Sequence, residues 1–196
     1  KRARNAQFDL YQTMMPGVAR PGPVTIVAVD EKALRKLGQW PWPRTHIARL
    51  IEHIGAQGAL AIGLDMLLLE RDQTSPESLA ARLGADQAEV RAALARMASY
   101  DDLLAQTLAR HPVVLGAAGS DEPLPTASGG LRTWPVVTRG PDITRAVHNY
   151  PFVLSSLASL QGAASGQGLM NAELERGVVR RVGLASAIGA TLVPAL

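Results

Sequence analysis

The chain has 196 residues, 47% of them hydrophobic, and a formal net charge of +3 at neutral pH. This length and composition predict one folded domain of generous size with a substantial core. The arginines are scattered, without the aromatic and basic interleaving that single-stranded nucleic acid requires, so we expect no nucleic-acid partner. The absence of cysteine excludes disulfides and thiolate metal sites.

The apolar segments are too short to cross a bilayer. The longest, residues 59–69, contains Asp65 and is about half the length that a spanning helix needs. The basic start at residues 1–4 is not followed by the apolar region of a secretory signal. We interpret both ends as the boundaries of a fragment of a longer protein.

The first half of the chain predicts a leading helix and an alternation of strand and helix. Residues 3–15 carry a loose helical stripe of apolar side chains before Pro16-Gly17. Residues 24–29 are β-branched and apolar, typical of a strand covered on both faces, and Asp30 follows them directly.

Thr45 is the predicted cap of a helix that Gly55 closes, and the helix carries apolar side chains at the spacing i, i+3, i+4, i+7. Residues 58–64 are a second buried strand, followed by Asp65. A strand, a short helix and a strand form a crossover unit with two parallel strands, which predicts an α/β class.

The second half predicts a helical insertion and several short strands. Ser75 begins a helical segment, Gly84 interrupts it, and a further helix runs from Asp101 or Asp102 to Arg110. After it we expect a strand at residues 113–117, a long surface loop at 119–142 with an extended piece inside it, a helix at 151–160, and an antiparallel hairpin of strands 166–171 and 177–184.

The predicted fold is therefore α/β, with a central, partly parallel sheet flanked by helices, a helical insertion and a C-terminal antiparallel hairpin. Residues 1–20 are interpreted as an entry helix and a linker. Residues 21–196 are interpreted as a single α/β domain with its helical insertion at about 75–99.

Few residues carry a pattern typical of catalysis. His46 and His53 lie on one predicted helix but about 10 Å apart, too far to share a metal. No Gly-x-Ser-x-Gly elbow is present, and Gly166-Gln167-Gly168 lacks the strand-to-helix setting of a nucleotide loop. We predict no catalytic residue, metal or cofactor, and interpret these glycines as points of close backbone approach or bulges.

The candidate site lies where the two predicted strands end. Ligands of open parallel sheets collect outside the carboxyl ends of the strands, where Asp30 and Asp65 are expected. In one interpretation Asp30 caps the next helix, and Asp65 binds loop amides or pairs with an arginine. In the other, Asp30, Asp65 and Arg44 converge on a ligand or a cation. A metal-assisted hydrolase using the two aspartates is a further alternative.

Two stiffened tryptophans precede Arg44 in the segment Trp40-Pro41-Trp42-Pro43-Arg44. Each proline fixes its own φ and keeps the preceding tryptophan extended. Trp40 and Trp42 therefore either wall a ligand pocket or cover the edge of the sheet as a rigid connector.

Together these segments resemble the type-two CHASE sensor domain of bacterial receptors. The resemblance rests on a strand ending in Asp, a Leu-Gly step, the Trp-Pro-Trp-Pro-Arg segment, a helix and a second strand ending in Asp, at residues 24–30, 37–38, 40–44, 46–51 and 58–65; further matches are Asp101-Asp102 and Arg180-Arg181. Two features depart from the family pattern: the extra helices near 76–98, and Glu173-Leu174-Glu175-Arg176-Gly177 in place of an Asp-x-Asp-Gly turn.

The resemblance implies an extracytoplasmic, non-catalytic sensory domain between transmembrane helices of an inner-membrane receptor. It also implies that residues 1–20 lead in from a preceding membrane segment and that residues 21–196 are a single sensor domain that is truncated at its C-terminus. Such receptors carry a histidine kinase, a protein kinase or a nucleotide cyclase of the adenylate or diguanylate type in the cytoplasm. The expected partners are an unknown small-molecule ligand or stimulus, membrane helices of the parent protein and a second copy. An alternative is a structural or dimerising module without a ligand, in which the insertion makes the contacts.

Overall fold

The computed structural model describes residues 2–17, 22–124, 130–132, 136–137, 139–140, 142–175 and 177–196. The chain forms two compact units, Lys1–Trp40 and Pro41–Leu196. None of the helices in the described parts of the chain is both long and apolar enough to span a membrane.

The first unit contains two helices, α1 at Arg2–Met14 and α2 at Glu31–Leu37. α1 confirms the helix predicted at the start of the chain. Gly38 closes α2 with a φ of 96°, a conformation that glycine adopts without a steric cost.

The strand predicted at residues 24–29 does not form. These residues carry no regular secondary structure, and Val24 and Ile26 are 78% and 88% exposed. A β-branched run becomes a strand only when a second strand satisfies its backbone groups. The described part of the first unit offers no such strand, so the prediction of a strand at residues 24–29 is wrong. Of the strand predicted at residues 58–64, Ile62–Leu64 form β1, which pairs with β2.

The second unit contains five further helices and nine short strands among the described residues. The helices are α3 (Arg44–Ala56), α4 (Pro76–Ala80), α5 (Ala88–Leu94), α6 (Tyr100–Arg110) and α7 (Ala158–Ala163), with a 3₁₀ turn at Ala85–Gln87. The strands are β1 (Ile62–Leu64), β2 (Val113–Ser120), β3 (Asn149–Tyr150), β4 (Phe152–Leu154), β5 (Gly166–Leu169), β6 (Glu173–Glu175), β7 (Val178–Arg181), β8 (Ala185–Ile188) and β9 (Thr191–Pro194).

The main sheet is partly parallel, as predicted. β1 and β5 both run parallel to β2 and pair with overlapping residues of it, so they lie on its opposite edges. β4 runs antiparallel to the last residues of β2. Smaller sheets are formed by β3, β8 and β9 and by the pair β6 and β7. This arrangement confirms the α/β class.

The core lies on the face of the sheet that the helices cover. Alternate residues of a strand point to opposite faces, so Ile62 and Leu64 face the helices while Gly63 does not. The buried cluster on the helical side is Ile47, Ala48, Ile51, Ile62, Leu64, Leu68, Leu104, Leu108, Val113, Leu115, Leu160 and Ala164. Its members on α3 follow the helical spacing read from the sequence, which explains why this helix was predictable.

The C-terminal third differs from the prediction in its pairing. The predicted helix at 151–160 is wrong: residues 152–154 form β4 on β2, and the helix begins only at Ala158. The predicted strand 166–171 joins β2 instead of a hairpin. A hairpin does form between β6 and β7, and a second, which we did not predict, joins β8 to β9.

The helical insertion is confirmed by α4, the 3₁₀ turn and α5. The predicted loop at 119–142 begins later than expected, because β2 continues to Ser120. Its residues 125–129, 133–135, 138 and 141 lie outside the described residues, as does Arg176 in the turn after β6.

Candidate functional site

The start of α3 is capped from a distant part of the chain. Pro43 precedes the helix and offers no side-chain acceptor. The Asp72 carboxylate takes this role by accepting a hydrogen bond from the backbone N–H of Arg44 at 2.6 Å. Thr45 was predicted as the cap but lies inside the helix, because the chain is already helical at Arg44.

The Arg44 side chain is buried and binds two other segments. Its Nε donates to Asp101 Oδ1 at 3.2 Å, and its Nη2 donates to the carbonyl of Glu70 at 2.9 Å. The side chains of Arg44 and Asp101 are only 9% and 7% exposed. The second oxygen of Asp101 accepts from the backbone N–H of Asp72 at 3.0 Å. Arg44, Asp72 and Asp101 are called the Arg44 node below.

Asp72 also shapes the loop that follows β1. Its Oδ1 accepts hydrogen bonds from the N–H and the hydroxyl of Thr74 at 2.8 and 2.7 Å. Its carbonyl accepts from the hydroxyl of Ser78 at 2.7 Å. The node thus joins the start of α3, the loop beyond β1 and the first turn of α6, where a carboxylate is favoured by the helix dipole.

A second polar cluster lies next to the node. Ser75 Oγ donates to the Glu77 carboxylate and accepts from the N–H of Tyr100 at 3.0 Å. Ser99 Oγ donates to the same carboxylate at 2.6 Å. Burial raises the pKa of Glu77, but the hydrogen bonds from Ser75 and Ser99 outweigh it and hold this pKa below its ordinary value.

Trp42 lies in the interior of the second unit. Its side chain is 6% exposed, and its ring meets that of His46 edge to face, with centroids 6.4 Å apart and planes at 69°. His46 Nδ1 is buried and has no hydrogen-bond partner in the described part of the chain. Trp42 therefore covers the first turn of α3 with apolar surface.

The five predicted ligand residues divide between the two units. Asp30 and Trp40 belong to the first unit, where Asp30 accepts from the N–H of Ala33 at 2.8 Å and caps α2. Its predicted capping role is thereby confirmed. Trp40 is 41% exposed. Trp42, Arg44 and Asp65 belong to the second unit.

Within the second unit, Arg44 is paired with Asp101 and not with Asp65. Asp65 follows β1, is exposed, and makes no hydrogen bond or ion pair with any described residue. The structure adds Asp72 and Asp101 to this site. Asp101 is part of the Asp101-Asp102 pair that resembles the family pattern. Asp72 carries no sequence signal that we recognised, because its role depends on contacts with Arg44, 28 residues away.

No group of three or more His, Cys, Asp or Glu side chains in the described residues is arranged to hold a metal ion. His46 and His53 have different neighbours on α3. The ring of His46 lies against Trp42, whereas His53 Nδ1 is 2.7 Å from the carbonyl of Arg49.

A cavity of about 450 Å³ lies on the face of the sheet opposite the helices. Gly63, Val114 and Gly166 are aligned across β1, β2 and β5 by the strand register and form one row of its lining. The two glycines leave space on either side of Val114. The other lining residues are Leu131, Arg132, Val136, Ser165, Gln167 and the residues 192–196.

Two buried glutamines lie near this cavity and differ in their bonding. The Gln161 carboxamide has four polar neighbours: its nitrogen, with two hydrogens to donate, lies within hydrogen-bonding distance of Gly130 O, Ser155 Oγ and Ser156 O, and its oxygen accepts from the N–H of Arg132. Gln167 is 6% exposed, and neither atom of its carboxamide has a hydrogen-bond partner in the described part of the chain. A buried amide without partners is uncommon in a folded protein.

The fold and the buried node define an α/β domain in which a charged cluster connects two core helices to the loop beyond a parallel strand. The chain matches the model of the CHASE2 domain over residues 1–196 and belongs to the CHASE2 family. CHASE2 domains are extracellular, non-catalytic sensory domains of signalling receptors. Comparison with curated proteins and with solved structures gave no match.

Proposed function

We propose that this chain is the sensory input domain of a membrane-bound bacterial receptor. It binds a ligand or responds to a stimulus outside the cytoplasmic membrane and passes a conformational change to transmembrane helices. A histidine kinase or a nucleotide cyclase is the output that we propose on the cytoplasmic side. Family membership over residues 1–196 is the observation that carries this proposal.

The Arg44 node supports a role in transmission. Two carboxylates and one guanidinium are buried together, and they connect α3, the loop beyond β1 and α6. Separating a buried charge from its partner is costly, so these three segments are expected to move together. A stimulus that displaces one segment would then displace the others, provided that it binds the two arrangements with different affinity.

The ligand set predicted from the sequence, Asp30, Trp40, Trp42, Arg44 and Asp65, stays a prediction. Asp65 provides the sharpest test of it, because its carboxylate is exposed and unbonded among the described residues. Replacing it by asparagine changes the charge without disturbing the buried core. A change in receptor output would therefore report on function and not on folding.

The test uses the full-length protein that carries this chain, with output measured as kinase or cyclase activity. Asp65→Asn and Asp30→Asn are expected to change the response while the protein stays folded. Asp102→Asn is the matched control, since Asp102 is also exposed and carries the same charge. Output that is the same in all three variants and the wild type would contradict the predicted ligand set.

A second candidate function is self-association through the helical insertion. The insertion exposes apolar side chains, with Leu79, Val90 and Met97 at 41%, 53% and 56% exposure. Replacing all three by serine is expected to weaken a dimer in sedimentation experiments. A wild-type chain that stays monomeric at high concentration would rule this role out for the isolated chain.

A further inference from the structure

We propose that the outer edge of β1 binds residues 24–29 of a second copy of this chain, so that two chains exchange these segments and form a dimer. The inference goes beyond the proposed sensory function, because it assigns the surface on which two copies meet. It rests on a segment without a partner strand and on a strand with an open edge, which match each other in hydrogen bonding and in apolar surface.

Residues 24–29 have the composition of a strand but no strand beside them. All six residues are exposed, with Val24, Ile26 and Val27 at 78%, 88% and 55%. Their backbone groups bond no other backbone group in the described part of the chain. A run that is apolar on both faces is typical of a strand covered on both sides. When it is exposed and unpaired, it favours pairing with another chain.

β1 is an edge strand of the main sheet. Among the described strands only β2 pairs with it, and the N–H of Ile62 donates to the carbonyl of Pro112 at 2.9 Å. Successive residues of a strand direct their backbone groups to opposite sides, so the N–H and carbonyl of Gly63 point away from β2. The centre of this edge therefore offers one donor and one acceptor to an incoming strand.

Both faces of the sheet carry apolar side chains next to this edge. On the helical face, Ile62 and Leu64 belong to the buried core. On the opposite face, the half-exposed Leu196 side chain lies 3.8 Å from the position of a Cβ on Gly63. Leu60, just before β1, is 94% exposed. A strand added here would meet apolar surface on both of its faces, as residues 24–29 require.

A second copy of the chain fits this edge better than other occupants. Two copies of residues 24–29 paired with each other would form a two-stranded ribbon with both faces in water, which is marginally stable. A polar peptide would satisfy the backbone groups of the edge but leave the apolar surface of residues 24–29 exposed. Exchange of the same segment between two copies satisfies both and gives two equivalent interfaces.

A cross-linking experiment tests the exchange directly. The chain contains no cysteine, so only introduced thiols react. The single variants Ile26→Cys and Gly63→Cys are mixed in equal amounts, left to exchange and treated with a short bismaleimide. The ordinary contact at Gly63 leaves room for the new Cβ. We expect a product of two chains in the mixture, in clear excess over either variant alone.

The double variant Ile26→Cys/Gly63→Cys separates a second copy from the same chain. The inference expects a product of two or more chains. A cross-link within single chains, together with no product in the mixture of single variants, would show that residues 24–29 bind β1 of their own chain and would overturn the inference.

Substitution by proline tests the hydrogen bonding. Ile26→Pro/Val27→Pro removes two successive N–H groups, one of which must face the edge of β1. Ile26→Val/Val27→Ile is the matched control, since it keeps both N–H groups and the composition. In sedimentation experiments we expect the proline variant to raise the dimer Kd by about tenfold or more and the control to leave it unchanged. Circular dichroism checks folding, and the cross-linking experiment decides if the proline variant does not fold.

The same measurements separate this surface from the helical insertion. Replacing Leu79, Val90 and Met97 by serine should leave the dimer intact if residues 24–29 and β1 form it. A wild-type chain that stays monomeric at high concentration, equal dimerisation of a folded proline variant and the wild type, or loss of the dimer only in the insertion variant would each overturn the inference.

Discussion

The Arg44 guanidinium lies 3.2 Å from the carboxylate of Asp101, a residue 57 positions further along the chain, and both side chains are buried. This ion pair joins the first turns of α3 and α6. A second pair joins the same two helices near their other ends, where Arg110 on α6 lies 2.5 Å from Glu52 on α3. The second pair is about half exposed to solvent, so the two pairs offer a matched comparison.

We expect Arg44→Ala to lower the free energy of unfolding by about 3–5 kcal/mol, because it leaves the buried carboxylate of Asp101 without its cation. Urea unfolding measures this change. Arg110→Ala is the control and should lower the free energy of unfolding by at most about 1 kcal/mol, because solvent screens an exposed pair. Equal effects of the two substitutions would show that burial does not govern the Arg44 pair.

We expect the two glycines of β5, Gly166 and Gly168, to respond differently to substitution by alanine. A Cβ at Gly168 would lie 2.5 Å from the Cα of Leu196 and 2.9 Å from the carbonyl carbon of Ala195. Because these are backbone atoms, Gly168→Ala must displace the end of the chain from β5, and we expect a loss of about 1–3 kcal/mol. Gly166→Ala meets only ordinary contacts and should change stability little. A tolerated Gly168→Ala, measured by thermal unfolding, would contradict the packing of this segment.

We expect the two buried glutamines, Gln161 and Gln167, to differ in how much their replacement by methionine changes stability. Gln161→Met removes the hydrogen bonds of its carboxamide to the Ser156 carbonyl and to the Arg132 amide, and we expect it to cost about 1–3 kcal/mol. It should also speed hydrogen exchange of the Arg132 amide. Gln167→Met removes a carboxamide that has no partner among the described residues, so it should be neutral or stabilising. Destabilisation of equal size in both variants would mean that Gln167 has an essential polar contact.

Glu77 predicts a dependence of stability on pH. Its pKa in the folded protein lies below the ordinary value of 4.5, because hydrogen bonds from Ser75 and Ser99 favour the charged form. A lowered pKa gives a stability contribution that is present above pH 4.5 and is lost as the pH falls through the folded pKa. Glu77→Gln should therefore lower stability at neutral pH and make the acid-side decrease shallower.

Urea unfolding at neutral pH and at a pH well below 4.5 measures this difference for the wild type and the variant. Glu89→Gln on α5 is the control, since Glu89 is an exposed carboxylate of the same insertion and should leave the pH profile as it is. A profile of Glu77→Gln that is parallel to the wild type would contradict the assignment of the lowered pKa.

The sequence determined the elements whose signal is local. The apolar spacing that includes Ile47 and Ile51 predicted α3, since one face of a helix must be buried. The aspartates at 101 and 102 marked the start of the helix that the structure shows as α6. The glycines of β5 were predicted to mark either a close backbone approach or a bulge, and Gly168 shows a close approach to the backbone of Leu196. The Trp-Pro-Trp-Pro-Arg segment, together with the two aspartate-terminated segments and the Leu-Gly step around it, predicted the family that the whole chain matches.

Only the tertiary structure decided which segments pair. Residues 24–29 have the composition of a strand but form none, whereas residues 152–154 were predicted as helix and join the sheet. The partners of Arg44 lie 28 and 57 positions away, and its sequence neighbours do not indicate them. Helical periodicity depends on residues that lie three or four positions apart, so a short stretch of sequence shows it. Strand pairing and the choice of a buried counter-ion depend on which distant segments the fold brings together.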